Sequence, residues 1–175
     1  LDLESYFEPN QATSTYSADY TGGDYANSAI EVVLETLFDD SRIHLTEKTL
    51  RPIACGKPFI LAATPGALNY IKSYGFQTFA PLIDESYDEI QDPVLRLQAI
   101  SRKMKKIAEL PAPQKLELFA KLQCIADFNK QRFFSAEFVE MIVKEFQTNL
   151  QHALVELEQY KTGSHYLWYK RSEEH

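Results

Sequence analysis

Cysteine is nearly absent from this chain. Its 175 residues include only Cys55 and Cys124, too few for a disulfide framework and a fit for a reducing compartment. Glycine is also sparse, at six residues, so no collagen-like period exists. No apolar run approaches the roughly 20 residues that a membrane-spanning helix needs. The acidic start Leu1-Asp2-Leu3-Glu4 lacks the basic region of a signal peptide. Position 1 is not Met, as expected of a processed product or of a piece of something longer. What is present is a composition 45% apolar and 13% aromatic, which supplies a core and excludes wholesale disorder. These features predict a soluble, cytoplasmic protein.

Eighteen basic residues stand against 25 acids, and the net charge of -7 argues against a general nucleic-acid binder. The distribution is uneven. Residues 1–40 hold nine acids and no Lys or Arg; Arg42, Lys48, Arg51 and Lys57 then follow within sixteen residues, against the single acid Glu47. Such a basic island suits either an anion site or a set of solvated side chains.

The pattern along the chain predicts an α/β fold: a small parallel, Rossmann-like half-domain followed by a helical C-terminal segment. Residues 1–28 are polar and Tyr-rich without periodicity and read as an extended arm. The β-branched run at 29–36 predicts a strand. Thr46 is placed to cap a helix reaching Cys55, kinked or kept short by Pro52 and stopped by Gly56. Residues 58–63 predict a second strand, and 67–74 a helix closed by Gly75. Strand, helix, strand, helix argues a parallel unit over 29–92, with ligands at the carboxyl ends of its strands. Over 93–175 three amphipathic helices are expected to pack on that unit. The first would use Val94, Leu97, Ile100, Met104 and Ile107 as its inner face, and Pro111 and Pro113 would end it.

Chemistry concentrates between Leu45 and Leu61. Thr46, Glu47 and Lys48 fall at a helix start, where free N–H groups and the dipole favour a phosphate. Lys48 adds a charge, and the Glu47 carboxylate can accept two hydrogen bonds from a ribose diol. A stabilised first turn with a solvated lysine accounts for the same residues. The acidic run Asp84 to Glu89 reads as a divalent-cation loop or as an acidic helix start. His44, His152 and His165 show no ligand spacing, and no metal site is predicted.

Three segments together carry a resemblance: Val33-Leu34-Glu35-Thr36, Leu45-Thr46-Glu47-Lys48 and Gly56-Lys57-Pro58-Phe59-Ile60. They resemble the C-terminal, donor-binding half of GT-B glycosyltransferases, most closely the fucosyltransferase type. Gly75-Phe76-Gln77-Thr78-Phe79 and Asp84-Glu85-Ser86-Tyr87-Asp88 extend the likeness to a group of phage and bacterial sequences, so that it covers about residues 30–90. The resemblance implies a nucleotide-sugar donor held by Glu47 on the ribose and Lys48 on the diphosphate. It also implies Glu35 facing the donor at the strand end, with Arg42 and Thr46 near the phosphates. Thr36 replaces the family's Asn. The donor is a substrate, and no cofactor or metal is implied. An N-terminal acceptor domain carrying the catalytic base is implied as a partner that this chain has no room for. The competing expectation is a non-enzymatic interaction or structural domain, phage-derived, that retains the half-Rossmann shape. A base-glycosylating enzyme fits the same site, although the acidic surface suits it poorly.

Overall fold

The computed structural model describes residues 22–39 and 42–162. The fold is mixed α/β, mostly helical, around a two-stranded parallel sheet. Helix α1 (Gly22–Asn27) precedes strand β1 (Glu31–Leu34), helix α2 (Glu47–Cys55), strand β2 (Phe59–Ala62) and helix α3 (Ala67–Ser73). A 3-10 turn at Ser86–Glu89 leads to helices α4 (Pro93–Ala108), α5 (Ala112–Phe133) and α6 (Ala136–Thr162). The parallel register runs from Glu31 opposite Phe59 to Leu34 opposite Ala62, with α2 as the crossover.

Local chemistry explains the boundaries. The side chain of Thr46 caps α2 by accepting from the Lys48 N–H. At the other end Gly56 adopts φ +66°, a left-handed conformation that glycine takes without strain, and its N–H bonds the Ile53 carbonyl. Pro52 sits inside the nine-residue helix and is buried. Asp92 caps α4 ahead of Pro93, and Pro111 stands at the N-cap of α5 with Pro113 in its first turn, where a missing N–H costs no helical bond.

The core forms where β2, buried along its whole length, meets Ile53, Leu68, Ile71, Phe79, Ile100 and Leu122. Phe59 and Phe79 meet edge to face, centroids 5.2 Å apart. Helix α5 packs against α2 and reaches backbone groups that no strand serves. Its buried Asn129 accepts from the Gln77 N–H at 2.8 Å and donates to the Gln77 carbonyl at 2.8 Å, which reproduces with a side-chain amide what a neighbouring strand would supply. Gln123 donates to the Gly56 carbonyl and Arg132 to that of Tyr74.

Several expectations change. Gly22–Asn27 is helical rather than part of an extended arm, and residues 1–21 lie outside the described residues. The first strand, Glu31–Leu34, is shorter than 29–36, although the Glu35 N–H still bonds the Ala62 carbonyl at 3.0 Å. The described residues up to Phe134 form one compact unit, and those from Ser135 a second. The inner face of α4 is rotated from the apolar stripe. Arg96, Ala99 and Ile100 are buried, while Val94, Leu97 and Met104 are exposed. No helix among the described residues is long and apolar enough to cross a membrane.

Candidate functional site

The carboxyl end of β1 and the start of α2 meet at Glu35. Although it follows the strand's last residue, Glu35 is only 6% exposed. Its carboxylate accepts from the Thr46 N–H at 2.9 Å, the Thr46 hydroxyl at 2.7 Å and the buried Thr49 hydroxyl at 2.5 Å. Burial pushes its pKa up. Bonds from Thr49 and Thr46 and the nearby charge of Lys48 outweigh that, and the net position is below the ordinary carboxylate range. Both oxygens are thus committed to pinning α2 against β1. Glu35, expected to face a donor, has its side chain turned toward Thr46 and Thr49, which offer donors that open solvent does not hold in place. Thr46 is likewise occupied, by Glu35 and by the Lys48 N–H.

The free N–H groups expected at this helix start are also taken. The Lys48 N–H bonds Thr46 Oγ1, and the Thr49 N–H bonds the Thr46 carbonyl. Glu47's own N–H and the Lys48 ammonium hold the Glu47 carboxyl below its ordinary pKa. What α2 presents outward is therefore side-chain chemistry. Lys48 Nζ lies 3.2 Å from Glu47 Oε1 and 3.4 Å from Thr36 Oγ1, which the ammonium approaches as a donor. The two charged side chains are 42% and 35% exposed, so the pair is accessible and weakly coupled. Arg42 is exposed in the connecting loop. Of the five predicted residues, the structure gathers Glu35, Thr46, Glu47 and Lys48 around one corner and divides them into two inward and two outward.

A second feature lies where the strand order also places ligands, at the loop that follows Ala63. An open cleft of about 430 Å³ lies past the carboxyl end of β2, bounded by Asp39, Thr64–Gly66, Asn69, Asp88, Glu89 and Gln91. None of the five predicted residues lines it. Its rear is built by Asp88, whose carboxylate accepts from the Leu68 N–H at 3.2 Å and so stabilises the start of α3 from the opposite side of the chain. Burial raises the Asp88 pKa, opposed chiefly by that Leu68 N–H. Arg96 fastens the loops that frame this region. It is 1% exposed, stacks 4.3 Å above the Phe38 ring, and donates to the carbonyls of Phe38, Ile90 (2.6 Å) and Gln91 (3.1 Å). No local signal marks Arg96, since the residues it joins are far apart in sequence.

Three acids of the run Asp84 to Glu89 are engaged within the protein. Asp84 pairs with Lys103 and accepts from the Ser86 N–H, Glu85 accepts from the Phe79 N–H, and Asp88 serves α3. Among the described residues no group of three or more His, Cys, Asp or Glu side chains is placed to hold a metal ion. Comparison of the chain with family models, curated proteins and solved structures gives no match.

Proposed function

We propose that the corner formed by Thr36, Glu47 and Lys48 is the donor site of a GT-B-type glycosyltransferase domain, and that β1–α2–β2 is a Rossmann-like half built to hold a nucleotide sugar. The observation that carries this reading is the exposed Lys48 ammonium set beside Thr36 at the carboxyl end of a parallel strand, where ligands of such sheets gather. Glu47 accepts from the ribose hydroxyls and Lys48 meets the diphosphate. Arg42 adds charge from the loop, while Glu35 and Thr46 position the corner. The acids and amides of the neighbouring cleft suit a sugar's hydroxyls and repel phosphate, which orients the donor. In the reaction an acceptor hydroxyl attacks the anomeric carbon and the bond to the diphosphate breaks. Lys48 stabilises the departing charge, and the hydroxyl proton passes to a base on an acceptor domain. No metal is needed for that role.

The test is a thermal-shift panel of UDP, GDP, ADP, CMP and their sugar conjugates on the wild type and Lys48→Ala. One nucleotide should stabilise the chain by about 2.7 kcal/mol at 100 times its Kd, and Lys48→Ala should abolish the shift. Silence across the panel in a chain joined to its acceptor domain would sink the reading. A second reading, an interaction domain without catalysis, is favoured by the exposed apolar residues of α6. In that case Glu47 and Lys48 are dispensable, and the panel gives no shift.

A further inference from the structure

Helix α6 carries a seven-residue repeat. Ala136, Val143, Leu150 and Leu157 fall at one heptad position, and Val139, Phe146, Ala153 and Tyr160 at the other core position. The spacing alternates three and four across the 27-residue helix without a skip. An ordinary α-helix drifts about 20° per heptad against such a repeat, so a strict repeat fits another helix coiling with it better than a flat body surface. All eight residues are exposed; Phe146, at 66%, is the most exposed large side chain on the helix. Ile142 and Leu154 flank the seam and are exposed as well.

From this pattern we infer that α6 pairs with α6 of a second copy of the chain, antiparallel, about a two-fold axis passing near Thr148. The pattern is complementary to its own reverse. Antiparallel pairing sets Ala136 against the partner copy's position 160, Val139 against 157, Val143 against 153 and Phe146 against 150. Each layer then joins a larger side chain to a smaller or comparable one, whereas parallel pairing stacks ring on ring at Phe146 and leaves a void at Ala153. The flanks agree. Glu140 faces position 154 and Ile142 faces 156, while Gln147 and Asn149 each face their own counterparts, so no like charges oppose. An isologous contact of this kind closes as a dimer and does not polymerise. Ten half-exposed side chains per helix put on the order of 1,200 Å² at stake, the lower end of stable interfaces.

Sedimentation equilibrium of the full chain tests the inference. The wild type should be dimeric at about 100 μM. Phe146→Glu and Leu150→Lys, both at exposed sites, should each raise the dissociation constant at least tenfold while leaving the far-ultraviolet circular dichroism of the chain unchanged. Mixing the two variants in equal amounts should recover the dimer, because antiparallel pairing brings the new carboxylate against the new ammonium. A monomeric wild type overturns the inference, as does a dimer insensitive to either substitution. A mixture that stays monomeric overturns the antiparallel pairing. Loss of helicity in one variant is answered by Val139→Lys, which probes the same seam two layers away.

Discussion

Glu35 gives the sharpest test of how this fold is held. Replacing it with Ala removes the acceptor of three hydrogen bonds and strands the Thr49 hydroxyl, which is fully buried, and the Thr46 N–H. Each orphaned buried donor costs about 1–3 kcal/mol, so the expected loss for Glu35→Ala is about 3 kcal/mol. Glu35→Gln keeps one acceptor oxygen for Thr46 and Thr49 and loses the charge-assisted part, and should cost about 1–1.5 kcal/mol. The pH dependence has a definite sign. Because the folded pKa lies below the ordinary 4.5, the carboxylate's contribution is fully present above pH 4.5 and fades as pH falls from there through the folded value. Urea unfolding followed by circular dichroism, at pH 7 and at several points below 4.5, measures this. The wild type should lead Glu35→Gln at neutral pH, and the gap should narrow in acid with an unchanged denaturant slope. An Ala variant within about 0.5 kcal/mol of wild type would refute the argument. So would a Gln variant as damaging as Ala, or a gap that widens in acid.

Two further outcomes follow from the same structure. Arg96→Lys should destabilise the chain by about 2–3 kcal/mol, since an ammonium cannot stack on Phe38 while reaching three carbonyls; limited proteolysis should then cut first in the loop after Phe38. Gly56→Ala should cost about 1–2 kcal/mol in thermal unfolding, because φ +66° disfavours any Cβ and the new methyl would lie 3.1 Å from Lys130 Cδ. A cost near zero would show that the cap relaxes.

The alternation of strands and helices was legible because its signals are local: a Val-Val pair, a threonine cap, a glycine stop. The Thr46 cap and the interruption before Pro111 were read for the same reason, although Pro113 lies within the first turn of α5. The inner face of α4 was not, because apolar periodicity assigns a cationic residue to solvent. Arg96 can be buried because the Ile90 and Gln91 carbonyls just before α4 and the carbonyl and ring of distant Phe38 converge on it, and no spacing within α4 encodes that. The bonding of Glu35 and Asp88 was illegible for a related reason. A carboxylate near a helix start reads as a ligand contact or a solvated charge. Here each serves a helix whose first turn lies 11 to 20 residues away. The candidate corner was therefore half legible: its outward pair, Glu47 and Lys48, could be read from sequence, and the inward pair that supports it could not.

The amide of Asn129 standing in for a strand has a consequence for biosynthesis. Gln77 leaves the ribosome 52 residues before the side chain that satisfies it. At about 5–20 residues per second, its N–H and carbonyl wait roughly 3 to 10 seconds for their partner. During that interval both strands already exist, yet the flank that α5 will cover is bare. A nascent chain stalled there offers an unpaired, strand-like edge next to the most apolar stretch of the sequence, which is the kind of surface that neighbouring polysomal chains or holding chaperones engage. Closure of the unit therefore requires the emergence of α5 as well as the completion of its sheet.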